Sequence, residues 1–455
     1  MVLPAPSLNN DPRSCAYSTS HKRWVNIFND IIQDLNGHIS QNKEVQKSGQ
    51  KIVAQVEHLL KDLKSDEPLI DFNSNEVAAF PPLERYNASL AQHRKQYHTS
   101  WLQGPWLNVE CYLYAKLRTF FLLSEDKHWH DYDVFAGSKD KAFQLSEDGA
   151  LELSRRYEQL AEQLKTKDVN MEVLKELFKE FVFVSLWGNA SDLSLLAGNA
   201  TLEDIQSMQG AEHRKLGEQY IISNDLEKVW EYFSKKDRKG RVDLVLDNAG
   251  FELLADLALA LFLLDSKLTD LIHIHCKDIP WFVSDTMIKD FNKFLDQLVD
   301  PKFYSKIHSN PADSASLKEL HKKLVSLCES GKIVVKSHPY WTFDDKFWSI
   351  PKVTDLYNDL LKSDLIILKG DLNYRKLTGD LHWPRTTPFV TAIQDLATSK
   401  LPLLSLRTCK ADVVVGLPEG LEQKLTETYG ALGKEDGIFW CGSGKWAVVS
   451  FSSGQ

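Results

Sequence analysis

The stretch that decides the fold is RVDLVLDNAGFELLADLALALFLL, residues 241–264. Its first part, 242–246, is a short apolar run typical of a buried strand, and its second part, from Phe251 onward, is long and apolar enough for a buried helix. An acid and an amide, Asp247 and Asn248, stand at the junction. A strand that leads directly into a helix is the unit from which parallel α/β sheets are built.

Similar runs recur through the second half of the chain. Predicted strands cover 242–246, 270–275, 332–336, 365–369, 401–406 and 445–451, and predicted helices cover 251–264, 286–299, 352–362 and 390–397. Because strands alternate with helices, we predict an α/β fold with a mostly parallel, Rossmann-like three-layer core.

The first half of the chain is expected to be helical instead. Apolar residues recur at helical spacing over 24–63, 145–164, 173–186 and 225–233. The pattern changes after the charged turn at 235–240. We therefore predict an N-terminal tail (1–20), a helical N-terminal region packed on the core (21–238) and an α/β core (239–455).

The composition is that of a soluble globular protein. The 455 residues are 43% hydrophobic and 26% charged, and the net charge of -9 argues against a nucleic-acid partner. We expect no signal peptide and no membrane span, because the first residues lack an apolar core and Leu257–Leu264 is too short to cross a bilayer. The six cysteines include no CxxC pair, which favours reduced thiols and a cytoplasmic or nucleocytoplasmic location.

Polar side chains follow five of the predicted strands. In an open α/β sheet, ligands bind in the crevice outside the carboxyl ends of the strands. The sequence therefore predicts one polar crevice at this edge, lined by residues that include Asp247, Asn248, His275, Asp278, Ser337, His338, Asp371 and Arg407.

Asp247 and Asn248 have two interpretations. An acid or amide before a helix is most often only a cap that accepts a backbone N–H. Adjacent carboxylate and amide oxygens also suit magnesium or manganese, which favour oxygen ligands and leave positions open for phosphate. If strands 242–246 and 270–275 are neighbours, Asp285 in PWFVSDTMIKDF (280–291) completes a set of three oxygen ligands. The pair His273 and His275 is a weaker candidate for zinc, because His273 lies within an apolar run.

Two later segments bring cations to the same edge. LKGDLNYRKL (368–377) ends a predicted strand and has two interpretations: a turn with a helix cap, or a loop that presents backbone N–H groups, an amide and the Arg375 guanidinium to an anion. Arg407, Thr408 and Lys410 follow the next predicted strand, and a lysine there suits phosphate as a point charge. No G-x-G-x-x-G follows a strand and no G-x-S-x-G occurs, which disfavours a dinucleotide site and an α/β-hydrolase.

Taken together, several segments resemble one family. LVLDNAGFELLADL, PWFVSDT, ILKGDLNYRKL and RTCK, with WLQGPWLNVECYLYAKL (101–117) and SLWGNASDLSLL (185–196), are similar to the metal-dependent damage-control phosphatases, long catalogued as a domain of unknown function. The RTCK element at 407–410 resembles the eukaryotic sugar-phosphate branch, which includes a protein described as an acidic residue methyltransferase. The resemblance covers roughly residues 20 to 450.

The resemblance implies a single divalent cation, manganese first, with nickel, cobalt or magnesium as alternatives. It implies that Asp247, Asn248 and Asp285 hold the metal, and that Asp247, Asn248 and Lys410 are catalytic. The substrate residues it implies are Asp247, Asn248, Asp371, Leu372, Asn373, Tyr374, Arg375, Arg407 and Lys410, with Glu110, Asn189 and Asp192 from the helical region.

The predicted function is hydrolysis of phosphate monoesters of small sugars or damaged phosphometabolites, such as fructose 1-phosphate. We expect a metal-activated water to attack, since the acid-x-acid arrangement of aspartyl phosphatases is absent around Asp247. The alternatives are an S-adenosylmethionine-dependent glutamate O-methyltransferase, for which no glycine-rich loop is present, and a non-catalytic scaffold. The partner expected is a small phosphorylated metabolite; protein partners are left open.

Overall fold

A seven-stranded sheet forms the centre of the protein within the described residues. The structure is a computed structural model that describes residues 2–166, 170–189, 217–235, 240–431 and 437–455. The strands are β1 (Ile221–Asn224), β2 (Arg241–Val245), β3 (Leu271–Cys276), β4 (Ile333–Ser337), β5 (Ser363–Lys369), β6 (Leu403–Thr408) and β7 (Ala447–Ser452). Their order in the sheet is β1-β7-β6-β5-β2-β3-β4.

Every neighbouring pair of strands is parallel except β6 and β7, which run antiparallel. The predicted α/β fold with a mostly parallel sheet is therefore confirmed. Each of the six predicted strands is present, displaced by two residues or fewer at either end. The sequence pattern missed β1, which lies in the half of the chain predicted to be helical and is only four residues long.

Helices surround the sheet. They are α1 (Cys15–Ser18), α2 (Trp24–Gln41), α3 (Gln46–Lys64), α4 (Ser74–Ala79), α5 (Leu83–His93), α6 (Trp106–Leu122), α7 (Ala136–Leu145), α8 (Glu147–Thr166), α9 (Met171–Gly188), α10 (Leu226–Ser234), α11 (Phe251–Asp265), α12 (Ile288–Val299), α13 (Ser305–Ser309), α14 (Pro311–Glu329), α15 (Thr354–Leu360), α16 (Gly370–Thr378), α17 (Phe389–Ala392) and α18 (Leu421–Ala431). A π-helical turn covers Thr19–Arg23, and 3₁₀ turns cover Lys43–Val45, Lys127–Trp129, Gly217–Tyr220, Pro339–Thr342, Phe347–Lys352, Gln394–Thr398 and Gly437–Gly442.

One predicted helix differs from the observed structure, and one observed helix was not predicted. The helix predicted at 390–397 is split into α17 and a 3₁₀ turn, because Gln394 has a φ of 50° and interrupts the helix. The long helix α14 was missed, although Asn310 caps it by accepting a hydrogen bond from the Ala312 N–H at 3.0 Å and Pro311 follows the cap. An Asn-Pro pair of this kind is a helix start signal.

Apolar side chains are buried on both faces of the sheet, which explains why β2 is apolar almost throughout. Val242 and Leu244 pack in one cluster with α8, α9 and α11, whereas Val245 packs in a second cluster with α15 and α16. A strand covered on both faces is the normal state of a parallel sheet. None of the helices in the described part of the chain combines the length and hydropathy needed to cross a bilayer.

A third apolar cluster joins the helical region to the carboxyl edge of the sheet. It contains residues of α2, α3, α5 and α6 together with Phe282, Leu372 and Ala411 from the loops and helices at that edge. The first residues also pack there: the His382 N–H donates to Ala5 at 2.8 Å, and the Ser7 N–H donates to Asp380 at 3.1 Å. The division at residues 20 and 238 stays a prediction, and both this segment and β1 make contacts across it.

Candidate active site

Asp247, Asn248 and Asp285 are brought together by backbone pairing at the carboxyl end of β2. The Ala249 N–H donates to the Ser284 carbonyl at 2.8 Å, and the Thr286 N–H donates to the Asp247 carbonyl at 2.8 Å. Asn248 and Asp285 form an antiparallel bridge between these two bonds. The three side chains are almost fully buried, at 5%, 4% and 2% exposure, and all line one cleft.

Glycines allow the close approach of backbone to this group. Gly250 adopts a φ of 75° directly before α11, where the chain turns sharply from strand to helix. Gly370 follows β5, has a φ of 87°, and lies so near Asp247 that a methyl carbon there is 1.8 Å from its Oδ2. Only glycine combines this conformation with that proximity.

The segment before Asp285 has a strained backbone. Phe282 and Val283 have φ values of 44° and 72°, in the left-handed region that β-branched residues rarely adopt. Strain of this kind clusters at functional sites, where the surrounding structure imposes it. Here it accompanies a turn that places the Ser284 hydroxyl 2.5 Å from Oδ1 of Asn248, to which it donates.

Amide groups orient the acids. The Asn189 Nδ2 donates to Oδ2 of Asp247 and to Oε2 of Glu252, both at 2.7 Å. The Asn248 Nδ2 also donates to Oε2 of Glu252, at 2.7 Å. Because its nitrogen donates to Glu252, Asn248 can offer a cation only its oxygen, which accepts from Ser284 and has a second lone pair.

Two buried lysines counter the negative charge behind the cleft. Lys369 lies 3.3 Å from Glu252 and 3.1 Å from Asp256, and burial raises the pKa of Asp256 to about 7. Lys277 lies 3.1 Å from Oδ2 of Asp285 and donates to the Leu246 carbonyl at 2.6 Å. Second-layer groups of this kind orient metal ligands and adjust their basicity.

The cleft encloses about 430 Å³ of empty space, part of it open to solvent. Its walls come from the helical region as well as from the edge of the sheet. The lining residues are Arg23, Trp106, Glu110, Asp247, Asn248, Phe282, Asp285, Asp371, Leu372, Arg375 and Lys410. Two carboxylates and an amide oxygen on one wall fit the hard-oxygen preference of Mn²⁺ or Mg²⁺, and Lys410 adds a cation to the same cleft.

The two predicted phosphate-binding arginines are engaged with acids. Arg375 bonds Glu110 at 2.9 Å and Asp380 at 3.0 Å, and stacks on the Trp106 ring at 3.6 Å. Arg407, fully buried, lies 2.7 Å from Asp371. Burial lowers the pKa of each arginine, but the neighbouring acids outweigh it, so both shifts are upward.

Other predicted substrate residues lie outside the cleft. Of the two interpretations of 368–377, the structure shows the strand that turns into a helix: β5 leads directly into α16, whose side chains from Leu372 to Leu377 pack inward. Asn373 faces the interior and donates to the Lys369 carbonyl at 2.8 Å, and the Tyr374 hydroxyl accepts from the Val415 N–H at 3.1 Å. Asn189 contacts Asp247 rather than the cleft, and Asp192 lies outside the described residues.

The expected single crevice at five strand ends is divided: Phe282 and Asp285, from the segment that follows β3, line the cleft, whereas Asp278 and Ser337 do not. Residues 277–287 fold back over this edge, and Asp278 and Ser337 line a separate cavity with Arg118 and Lys289. His275 lies within β3 and bonds Oδ1 of Asp243 at 2.6 Å. The cleft is therefore formed at the ends of β2, β5 and β6 and by the segment that follows β3.

Elsewhere, two groups of side chains could ligate a metal: Cys15, Asp412 and Cys441, and Asp243, His273 and Asp359. In the second group a lysine takes the place of a metal ion, since the Lys336 ammonium donates to Nδ1 of His273 at 2.8 Å. The six cysteines are all described, and none forms a disulfide.

Sequence reasoning missed Arg23, Trp106 and Phe282 as cleft residues. Arg23 and Trp106 come from the helical region, where apolar spacing gives no information about a distant sheet edge. The buried position of Lys277 could not be predicted either, because a lysine after a strand is normally solvated. Phe282 could have been predicted from PWFVSDT, since an apolar run before an acid is unusual for a loop.

An oxygen-rich, cation-lined cleft at the carboxyl edge of a parallel sheet is the kind of site that metal-dependent phosphate-ester hydrolases use. The family described as "Damage-control phosphatase ARMT1-like domain" matches residues 19–425. The chain belongs to this family of metal-dependent phosphatases.

Relatives match along the full length. The chain is 34% identical over 469 residues to a Macaca fascicularis protein named damage-control phosphatase ARMT1, with 99% of each covered. Proteins of the same name from Homo sapiens and Danio rerio are 33% and 32% identical, over 467 and 475 residues. A solved structure of a DUF89 family protein from Pyrococcus horikoshii aligns with 83% of this chain and 93% of its own at 13% identity, with a TM-score of 0.39. The protein is thus a phosphatase enzyme acting on small phosphorylated metabolites.

Proposed function

We propose that the enzyme hydrolyses phosphate monoesters of small sugars or damaged phosphometabolites, with fructose 1-phosphate as a representative substrate. The observation that carries the proposal is the convergence of Asp247, Asn248 and Asp285 on one buried wall of a cleft that also contains Lys410. In the proposal, these three residues hold one divalent cation, manganese first, with nickel, cobalt or magnesium as alternatives. Such a cation, when bound, neutralises phosphate charge and lowers the pKa of a bound water.

The chain's own groups position the phosphate. Enzymes accelerate phosphate-monoester hydrolysis by up to ~10²¹-fold, far more than the ~10²–10⁴-fold of one general acid or base. Fixed charges must therefore contribute most. Lys410 is held for this role, because its Nζ donates to the Asn189 carbonyl at 2.8 Å and its N–H donates to Oδ1 of Asp371 at 3.0 Å.

Arg375 and Arg407 have a different role in this proposal. Their guanidinium groups are fixed by Glu110, Asp380 and Asp371, so they shape the cleft wall and keep Asp371 oriented toward Lys410. Stacking of Arg375 on Trp106 stabilises the same wall.

We favour water over Asp247 as the nucleophile. Oδ2 of Asp247 accepts hydrogen bonds from Asn189 at 2.7 Å and from Asn248 at 3.2 Å. Hydrogen bonds to a carboxylate lower its nucleophilicity and suit a ligand that stays in place.

The test compares metal-stripped and metal-loaded protein on fructose 1-phosphate. We expect release of phosphate with Mn²⁺, loss of release in chelator, and recovery when Mn²⁺ is restored. Asp285→Asn should weaken Mn²⁺ binding by at least about 10-fold, measured by calorimetry. Asp296→Asn, an exposed acid on α12, is the matched control and should bind normally. Full activity in chelator contradicts the proposal, and methyl transfer to glutamate without phosphate release favours the methyltransferase alternative.

A further inference from the structure

Arg23 connects the active-site cleft to a second cavity. It ends the π-helical turn Thr19–Arg23, which leads directly into α2. Its side chain lines the cleft beside Lys410, and the same two residues also line a wider neighbouring cavity. π-Helical turns occur frequently at functional sites.

Among the cations of the cleft, Arg23 differs in its partners. Arg375 is paired with Glu110 and Asp380. Within the described residues, Arg23 makes no ion pair, and its Nε is buried without a hydrogen-bond partner. A buried guanidinium N–H without a partner is costly, which points to a ligand that supplies the missing acceptor.

The neighbours of Arg23 hold it in place. Nε1 of the adjacent Trp24 donates to Oε1 of Glu110 at 3.2 Å, and the other oxygen of Glu110 accepts from Arg375 at 2.9 Å. Upstream, the Cys15 N–H donates to both carboxylate oxygens of Asp412, at 3.0 and 2.9 Å. Arg23 is therefore anchored on both sides along the chain.

The neighbouring cavity, called the outer lobe here, encloses about 790 Å³ of empty space, part of it open to solvent. It offers hydroxyl groups and aromatic rings rather than charges, apart from the shared cations. Its lining residues are Cys15, Ser18, Thr19, Arg23, Lys410, Tyr429, Phe439, Gly442 and Ser443. Rings and hydroxyls of this kind suit a polyhydroxylated organic group.

We propose that Arg23 and Lys410 clamp the substrate phosphate at the junction of the two cavities, with the organic part of the ester in the outer lobe. The proposal rests on the proposed phosphatase function. Arg23 and Lys410 line both cavities and together offer two positive charges to a phosphate monoester dianion, and the guanidinium groups of Arg375 and Arg407 are paired with acids. The substrate class is a phosphate monoester whose polar organic group extends past the clamp.

The test measures inorganic phosphate binding by calorimetry on metal-stripped and on Mn²⁺-loaded full-length protein, together with steady-state kinetics. The variants are Arg23→Gln and Arg23→Lys. Lys22→Gln is the matched control, because Lys22 is exposed on the same π-helical turn and lines neither cavity. Circular dichroism and thermal unfolding check that each variant folds.

We expect Arg23→Gln to weaken phosphate binding roughly 10- to 100-fold, the usual range for losing a charge-assisted hydrogen bond, and to raise KM accordingly. Arg23→Lys should recover part of the loss, and Lys22→Gln should match the wild type. Phosphate binding by Arg23→Gln at wild-type strength overturns the clamp. If the wild-type protein releases no phosphate from any ester, the phosphatase proposal fails, and the binding measurement still decides the role of Arg23.

The outer lobe is tested separately with Ser443→Trp, which fills it. We expect a higher KM for sugar phosphates and unchanged binding of inorganic phosphate. An unchanged KM contradicts the placement of the organic group.

Discussion

Gly370→Ala adds a single methyl group, and we expect it to abolish divalent-cation binding without removing any functional group. The new carbon lies 1.8 Å from Oδ2, 2.1 Å from Cγ and 2.7 Å from Cβ of Asp247, and real Cβ contacts are essentially never closer than 3.0 Å. The carboxylate must therefore move by at least 1.2 Å, the difference between 3.0 and 1.8 Å. Metal–ligand distances tolerate only about 0.2 Å. Cβ of Asp247 must move as well, so a change of rotamer cannot relieve the clash.

The variant also carries a conformational cost, because alanine disfavours the φ of 87° at this position by roughly 1–2 kcal/mol. Gly331→Ala separates the two effects. Gly331 has a φ of 70°, but a methyl group there meets nothing within 4 Å. In urea unfolding, the backbone conformation should cost both variants a similar unfolding free energy. Gly370→Ala should lose more in total, because it also clashes with Asp247.

The assay is Mn²⁺ calorimetry on both variants, followed by phosphate release from fructose 1-phosphate. We expect Gly370→Ala to bind Mn²⁺ at least about 100-fold more weakly, the upper end of losses from disturbed metal ligands. Gly331→Ala should bind and turn over as the wild type does. Wild-type Mn²⁺ affinity in a folded Gly370→Ala protein would refute the role of Asp247 as a ligand.

Further predictions concern charge and pH. Lys410→Met should lower kcat/KM by roughly 100- to 1,000-fold with little loss of stability. Arg407→Met should instead cost roughly 3–5 kcal/mol of unfolding free energy, because it leaves the Asp371 carboxylate without its cation. Equal stability losses of the two variants in urea would contradict this difference. Burial raises the pKa of Asp344 from 3.8 to about 6. Between these two pKa values the folded state binds more protons than the unfolded state. The unfolding free energy should therefore fall as the pH rises from 3.8 to about 6, by up to ~3 kcal/mol, and level off at higher pH. Asp344→Asn should lack the fall, which urea titrations at several pH values can measure.

Much of the core could be predicted because its signals are local. An apolar run such as 242–246 is stable only when it is buried, and an apolar helix that follows it leads to a parallel neighbouring strand. The alternation of strands and helices along the chain therefore indicated the sheet by itself. The proposed metal ligands Asp247 and Asn248 could also be found from the sequence, since they stand where a strand ends. β1 could not be found this way, because four residues contain too little periodicity and its partner β7 lies at the far end of the chain.

The cations were harder to interpret because charge alone does not reveal pairing. The sequence placed Arg375 and Arg407 at the correct edge of the sheet, and the structure shows that each already has an acid. Pairing partners such as Glu110 come from 265 residues away, a separation over which no spacing rule operates.

The sequence by itself determined the strands β2 to β7 and the polar ends of β2, β5 and β6, because hydrophobic periodicity and turn residues act over a few positions. Only the tertiary structure decided which polar ends share a cleft, that residues 277–287 contribute to this cleft and to a second cavity, and that Arg23 lines the same cleft as Lys410. These outcomes depend on close packing between distant segments, as at Gly370 and Asp247, where the available space rather than local propensity selects the arrangement.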